Sequence, residues 1–168
     1  MPLTAPPETF DLGGTTTIRR LGFGTMQLPG PGVWGPPRDH DEAIRVLRHA
    51  VERGVTFIDT ADSYGPFVAE RLIYEALHPY PAELVIATKA GLARGGPDDW
   101  RPLGRPEYLR QQCELSLRHL ELERIELFQL HLRAARRHLR GRADQPLIAA
   151  HYVPALVRQT LRTDGGST

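Results

Sequence analysis

The sequence predicts an α/β fold built on a parallel sheet, because short apolar segments alternate with amphipathic ones. Four segments have the compact apolar composition of buried strands: 21–26, 55–59, 84–89 and 125–131. The segments between them repeat apolar residues at helical spacing. Such alternation indicates parallel strands joined by right-handed crossovers. An open doubly wound sheet and a (β/α)8 barrel both fit, and the periodicity does not separate them.

The remaining segments are predicted to be a hairpin and two irregular loops. Gly13-Gly14 is a turn signal inside Phe10–Ile18, which predicts a short hairpin. Leu21–Met26 is then a strand that leads into Pro29–Pro37, a segment too rich in Gly and Pro to be helical. Ala90–Arg105 is polar and contains several Gly and Pro, so we expect a second loop there.

Each of the three helices carries recognisable boundary signals. Asp39 or Asp41 can cap the first helix, and Arg53-Gly54 ends it. The second helix runs from about Pro66 to Leu77, and Pro106 suits the first turn of the third. The apolar faces of the three helices are Ile44, Leu47 and Val51; Ala69, Leu72, Ile73 and Ala76; and Leu109, Cys113, Leu117 and Leu120.

The composition is that of an ordinary globular chain. The apolar fraction is 40% and the charged fraction 24%. We see no apolar stretch near the roughly 18 residues of a membrane span, and no basic and apolar leader, so we expect a cytoplasmic protein. Cys113 is the single cysteine and is expected in the core, and the His residues show no metal-ligand spacing, so no metal is predicted.

Chemically active side chains lie at the carboxyl ends of three successive predicted strands. Asp59 ends the second strand, Tyr64 follows it by five residues, Lys89 ends the third and His131 ends the fourth. Such positions converge on one face of a parallel α/β fold. Lys89 is also the only lysine beside twenty arginines. Arg cannot replace a compact ammonium in acid–base chemistry.

These four residue types suit the protonation of a carbonyl oxygen. A free tyrosine has a pKa of roughly 10, and a nearby ammonium stabilises the phenolate. A carboxylate such as Asp59 can hold the ammonium of Lys89, and His131 can donate a hydrogen bond to a substrate oxygen. Each residue alone also has an ordinary explanation, as a loop cap, a half-buried aromatic, a solvated lysine or a structural histidine. Because the four residues lie together at strand ends, a shared catalytic role is the better explanation.

The same residues lie in motifs that resemble the aldo-keto reductases. Phe57–Gly65 followed by Glu70 resembles the signature of that family, and Leu21–Met26 resembles its first strand. Val85–Lys89 and Leu127–His131 resemble the segments that carry its Lys and His. The resemblance implies a (β/α)8 barrel that transfers hydride from NADPH to an aldehyde or a ketone.

The resemblance also assigns roles to residues. It makes Tyr64 the proton donor, Lys89 and Asp59 the groups that tune it, and His131 the residue that orients the carbonyl. Gly24, Thr25, Met26 and Asp59 match positions near the nicotinamide, so the resemblance implies that they bind the cofactor. Met26–Pro37 resembles a subgroup that includes pyridoxal reductases, which implies a pyridoxal-like substrate.

The likeness that we see ends at His131, where the character of the chain changes. Residues 1–131 carry a formal net charge of −4, whereas residues 132–168 carry seven Arg and two Asp, a net of +5. We therefore expect 1–131 to be the N-terminal half of such a barrel and 132–168 to be an Arg-rich tail from outside the family, of frameshifted or disordered character. Segments that grip most of the NADPH are missing from the pattern, so we expect a truncated, poorly active form.

Other readings stay open for a half barrel. Its exposed edges could drive self-association, with two copies covering each other. A non-catalytic binding or assembly module, or a non-functional fragment, is the alternative to an enzyme. The Arg-rich tail could attach to nucleic acid, but it lacks interleaved aromatics and any known motif. Trp34 and Trp100 lie in predicted loops near the catalytic face, either lining a substrate pocket or anchoring the loops.

Overall fold

The computed structural model describes residues 8–14 and 16–131. The expectations for the segment 132–168, including its origin and its binding to nucleic acid, fall outside the described residues. The N-terminal hairpin is confirmed. Strands β1 (Thr9–Leu12) and β2 (Thr16–Arg19) pair antiparallel around Gly13 and Gly14. Both glycines have positive φ angles, of 59° and 74°, which suit a tight turn.

A four-stranded parallel sheet forms the centre of the described structure, as the sequence predicts. Its strands are β3 (Phe23–Gly24), β4 (Phe57–Asp59), β5 (Val85–Ala90) and β8 (Leu127–Leu130), and they lie in chain order. The register aligns Asp59 with Gly24 on one side and with Ala87 on the other. Because all four strands point the same way, their carboxyl ends share one edge.

Helices α1 (His40–Glu52), α2 (Val68–Leu77) and α3 (Pro106–Leu120) follow β3, β4 and β5 along the chain. Asp39 caps α1, since its Oδ1 accepts a hydrogen bond of 2.9 Å from the Glu42 amide. Pro106 occupies the first turn of α3, where its missing N–H costs nothing. None of these helices, which are all that the described residues contain, is long and apolar enough to cross a membrane.

The core lies between the helices and the sheet. Leu47 of α1, Ile73 of α2, Leu120 of α3 and Ile58 of β4 are completely buried within it. Cys113 is also buried, and burial raises the pKa of its thiol to about 11, so it is a core side chain rather than a nucleophile at neutral pH. The apolar stripes predicted for the helices therefore face the sheet, as expected from their spacing.

One predicted loop is wrong. Within Ala90–Arg105, strands β6 (Leu92–Gly96) and β7 (Asp99–Pro102) form an antiparallel hairpin with a register shift between Arg94 and Gly96. Local composition concealed it, because this hairpin is held by contacts with distant segments and not by an alternating apolar pattern. Those contacts lie next to the carboxyl edge of the parallel sheet and are described below.

Candidate active site

The carboxyl edge of the sheet brings together the four residues that the sequence singles out. Asp59 is the last residue of β4, Lys89 lies in β5 one residue before its end, and His131 directly follows β8. Tyr64 reaches them from the loop between β4 and α2. It is buried there, with 5% of its surface exposed. Residues as far apart in sequence as Asp59 and His131 thus share one site.

An ion pair between Lys89 and Asp59 forms the centre of the site. Lys89 Nζ donates to Asp59 Oδ2 at 2.7 Å and to the Thr60 carbonyl oxygen at 2.8 Å. The Lys89 side chain is 13% exposed and that of Asp59 36%, so water screens the pair only in part. An ammonium has three N–H donors, and these two bonds leave one for another group at the site.

Tyr64 lies against both basic side chains. Its ring centroid is 5.1 Å from Lys89 Nζ and 6.0 Å from the His131 ring, which approaches edge-on. The loop that carries Tyr64 is held by backbone bonds, including Tyr64 N–H to the Ala61 carbonyl and Asp62 N–H to the Lys89 carbonyl. The backbone of β5 therefore fixes the loop that presents Tyr64.

His131 is a neutral imidazole at neutral pH. Burial lowers its pKa to about 4, the positive charge of Lys89 acts in the same direction, and Asp59 opposes them. Its Nδ1 lies 3.4 Å from Ser63 Oγ, and its backbone N–H donates to the Ala90 carbonyl at 2.8 Å. A neutral ring can donate one hydrogen bond to an oxygen atom without bringing a charge to the site.

Close backbone approach fixes the position of His131. Gly91 has a φ of +134°, and a Cβ there would lie 2.9 Å from the His131 carbonyl oxygen. A larger residue would have to push the end of β8 away from β5. The glycine thus keeps His131 at the edge that carries Lys89.

The predicted cofactor loop contributes differently at each position. Thr25 is completely buried, and both its amide and its hydroxyl donate to the Asp59 carbonyl, at 3.0 and 3.2 Å. Its side chain therefore fastens the loop to Asp59 and has no hydroxyl hydrogen left for a ligand. Gly24 is exposed with open space around it, and Met26 is 41% exposed.

Several polar residues of the site were missed by the sequence reasoning. Gln129 Nε2 donates to Asp59 Oδ1 at 3.2 Å, so the second carboxylate oxygen is also held. A Gln two residues before His131 in an apolar strand was the available signal, since residues at i and i+2 share a face. Arg94 and Ser63 left no such signal, because most of their partners lie far from them in the sequence.

A pair of buried acids lies near the site, and its burial was not predicted, although Glu70 belongs to the family-like motif. Asp62 and Glu70 are 2% and 0% exposed. Burial raises the pKa of each to about 7; for Asp62 the negative charge of Glu70 adds to the effect. Glu70 Oε1 accepts the Thr88 hydroxyl at 2.6 Å. Within residues 8–14 and 16–131, no group of three His, Cys, Asp or Glu side chains could hold a metal ion.

Comparisons with known proteins identify the family of this chain. The model of the aldo/keto reductase family matches residues 20–138, and so runs past the boundary that we predict at residue 131. An uncharacterized oxidoreductase of Schizosaccharomyces pombe is 48% identical over 70% of this chain and 38% of its own length. Pyridoxine 4-dehydrogenase of Escherichia coli is 44% identical over 90% of this chain and 52% of its own.

Solved structures lead to the same family. An aldo-keto reductase of Bacillus halodurans in its holo form has 31% identity and a TM-score of 0.62, covering 74% of this chain and 40% of that one. An aldo-keto reductase of Klebsiella pneumoniae, solved in complex with NADPH, shares the fold at 22% identity and a TM-score of 0.57, covering 77% of this chain and 40% of that one.

The chain spans about half the length of the E. coli relative and less of the other. The described sheet corresponds to part of a (β/α)8 barrel, with its strands in chain order and a helix after each of the first three. A family match over most of the chain, together with the shared fold, shows that this chain belongs to the aldo/keto reductase family of oxidoreductases.

Proposed function

We propose that this chain carries the proton-donating side of an NADPH-dependent reductase that converts an aldehyde or a ketone into an alcohol. The observation that carries the proposal is the Lys89–Asp59 ion pair of 2.7 Å, with Lys89 Nζ lying 5.1 Å from the ring centroid of Tyr64. Tyr64 gives its phenolic proton to the substrate oxygen. The ammonium of Lys89 stabilises the negative charge that develops on the phenolate.

The other members of the site position these groups. Asp59 holds Lys89, and Gln129 holds Asp59 from its other side. His131 donates a hydrogen bond from its neutral ring to the carbonyl oxygen and so orients it towards Tyr64. The residues provide acid catalysis and orientation, which together contribute large rate factors when the geometry is kept.

NADPH suits the exposed edge beside Asp59. Bound there, it supplies the hydride that reduces the carbonyl carbon. Gly24 leaves open space at this edge, and Met26 is exposed, so both can contact a nicotinamide ring. Thr25 supports the loop from beneath through Asp59. The K. pneumoniae structure with NADPH supports the choice of cofactor.

A pyridoxal-like aldehyde is the proposed substrate, and the cytoplasm the proposed location. The relative named pyridoxine 4-dehydrogenase supports this substrate. We further propose that the 168-residue chain alone turns over slowly, because the four described strands make up only part of a barrel. A second candidate is assembly with another copy: within the described residues β3 and β8 each pair on one side only, and paired copies could cover these edges.

A chimera with a full-length relative tests the proposed chemistry without the effect of an incomplete barrel. It carries residues 20–131 of this chain in place of the aligned segment of the E. coli relative. We expect it to oxidise NADPH with pyridoxal, and Tyr64→Phe to reduce kcat by about 10²–10⁴-fold. Tyr108→Phe, a tyrosine on α3, is the control. A folded chimera whose turnover does not depend on Tyr64 would refute the proposal.

The chain alone tests the two remaining proposals. Prolonged incubation with NADPH and pyridoxal should give slow formation of alcohol that requires Tyr64. Turnover at the typical enzyme rates of about 1–10³ per second would show that the chain alone is not impaired. Light scattering that finds only folded monomer would remove the assembly candidate.

A further inference from the structure

Among residues 8–14 and 16–131, the hydrogen-bond acceptors of the Arg94 guanidinium in β6 are all backbone carbonyl oxygens. The guanidinium has five N–H donors, and the described residues provide an acceptor for each. The acceptors are the carbonyl oxygens of Gly32 at 2.7 Å, Ser63 at 2.8 Å, Val33 at 2.9 Å, Gly96 at 3.1 Å and Asp99 at 3.1 Å. None of the five donors is left over for a ligand.

The five carbonyls come from three separate segments around the catalytic edge. One is the loop between β3 and α1, another is the loop that carries Tyr64, and the third is the β6–β7 hairpin itself. The hairpin also meets the first loop directly, since the Asp98 amide donates to the Gly32 carbonyl at 3.1 Å. A Cβ on Gly32 would lie 2.8 Å from the Pro97 Cβ, so this junction is tight.

The backbone that Arg94 holds is partly strained. Val33 has a φ of 54°, a left-handed conformation that is rare for a β-branched residue. Its carbonyl accepts bonds from both Arg94 and the Gly65 amide, at 2.9 and 3.2 Å. Strain of this kind persists only where the surroundings hold it in place, and here the guanidinium does so.

The guanidinium also contacts the rings of both tryptophans of the chain. Its Cζ lies 3.6 Å from the ring centroid of Trp100 and 5.6 Å from that of Trp34. Trp100 in turn lies 6.5 Å from the His131 ring, and it packs with Val33 against the cluster that contains Tyr64. A carbonyl compound that reaches His131 therefore meets the indole that Arg94 supports.

Lysine could not make the same structure. The planar fork of Arg presents five donors in fixed directions, whereas an ammonium presents three from one point. Asp98 and Asp99 act on Arg94 through their charges, which oppose the lowering of its pKa by burial. Neither carboxylate is bonded to it, so its interactions are those of a support for the backbone.

We propose that Arg94 is a positioning residue that holds Trp100 and Val33 beside Tyr64 and His131, and thereby makes the site selective for flat aromatic aldehydes. The selectivity rests on the proposed reductase function, whereas the support of the loops does not. An aromatic substrate gains contact with the fixed indole, which corresponds to a preference of about 3- to 10-fold over an aliphatic one.

Tryptophan fluorescence tests the positioning in the full chain without any turnover. Arg94→Lys keeps the charge but loses the fork, so we expect the two tryptophans to become at least about twofold more accessible to acrylamide quenching. Arg110→Lys, an exposed arginine on α3, is the matched control and should leave quenching unchanged. Far-UV circular dichroism confirms that both variants are folded.

An internal competition tests the selectivity. The full chain is incubated with NADPH and equal amounts of benzaldehyde and butanal, and the two alcohols are quantified, so their ratio gives the ratio of kcat/KM even at low turnover. We expect benzyl alcohol to exceed butanol in the wild type. Arg94→Lys should lower that ratio by about 3- to 10-fold, and Arg110→Lys should not change it.

The outcomes separate this inference from the proposed function. Wild-type chain that forms neither alcohol argues against its reductase function, and quenching then decides the role of Arg94. Unchanged quenching in Arg94→Lys overturns the positioning role, and increased quenching with an unchanged product ratio overturns the selectivity. If Arg94→Lys does not fold, Trp100→Leu with Trp34→Leu as control decides the matter, since only Trp100→Leu should lower the ratio.

Discussion

Two half-buried cations at the same edge of the sheet are held in different ways. Lys89 is bonded to the Asp59 carboxylate and to the Thr60 carbonyl oxygen, and retains one N–H for other groups. Arg94 is bonded to five backbone carbonyls and retains none. The charge of Lys89 lies near Tyr64, whereas the donors of Arg94 all bind the backbone of the loops that surround it.

The difference shows that the partners of a cation indicate whether it can take part in a reaction or only stabilise the backbone around it. A compact ammonium with a spare donor can stabilise a charge that appears during a reaction. A guanidinium whose donors are all engaged holds the geometry of its acceptors and of the indole that lies against its face. Exchange of the two residue types should therefore damage different properties, as the following predictions state.

The largest effect is expected from Lys89→Arg in the chimera. The delocalised, bulkier guanidinium cannot reproduce a point charge between Asp59 and Tyr64, so kcat should fall by about 10²–10⁴-fold. Steady-state NADPH oxidation measures the change in kcat. Arg110→Lys, the reverse exchange at an exposed position of α3, is the control and should not change kcat. A decrease below about tenfold would contradict the claim that a lysine is required.

Arg94→Met should reduce stability. Methionine retains much of the apolar stem but leaves five backbone carbonyls without this donor, so the free energy of unfolding should fall by about 2–4 kcal/mol. Urea unfolding of the full chain measures the change. Arg110→Met, on the exposed face of α3, should stay within about 0.5 kcal/mol. Equal losses in the two variants would remove Arg94 from its structural role.

Glu70→Gln should change how stability depends on pH. Glutamate ionises near its ordinary pKa when unfolded, but at about 7 in the folded chain because of burial. The folded state thus binds more protons between these values, and stability is lost as pH rises through this window. Glutamine removes that loss, so the variant should gain about 1–3 kcal/mol over wild type at pH 8 relative to pH 5.

Glu114→Gln, at an exposed position of α3, is the control and should leave the pH dependence of stability unchanged. His131 contributes in the opposite direction, because its pKa is lowered to about 4 and stability is lost as pH falls from its ordinary value towards 4. That contribution is common to wild type and variants, so the comparison cancels it. Parallel pH profiles for Glu70→Gln and wild type would mean that burial does not raise the pKa of Glu70.

The smallest effect is expected from Gln129→Leu in the chimera. The amide of Gln129 holds Asp59 Oδ1 at 3.2 Å, while Lys89 holds the other oxygen. Its loss loosens the carboxylate without removing the ion pair, so kcat should fall by about 3- to 10-fold. Gln111→Leu, exposed on α3, is the control. No difference between the two variants would show that Lys89 alone orients Asp59.

The sequence alone predicted the elements that rest on local spacing. Alternation of apolar and amphipathic segments predicted the parallel sheet and the three helices, and Pro106 marked a helix start. Asp39 was one of two candidate caps for the first helix, and the structure shows that it is the cap. Strand ends predicted that Asp59, Lys89 and His131 would share one edge, because parallel strands require it. Their family likeness added roles, which remain proposals.

Only the tertiary structure decided the features that depend on remote contacts. The β6–β7 hairpin, the five carbonyls around Arg94 and the buried hydroxyl of Thr25 join residues from different loops, and no local period encodes such contacts. The neutral state of His131 likewise follows from burial beside Lys89. Spacing along a chain determines which face a side chain takes within its own element, whereas burial and hydrogen-bond partners exist only once those elements pack together.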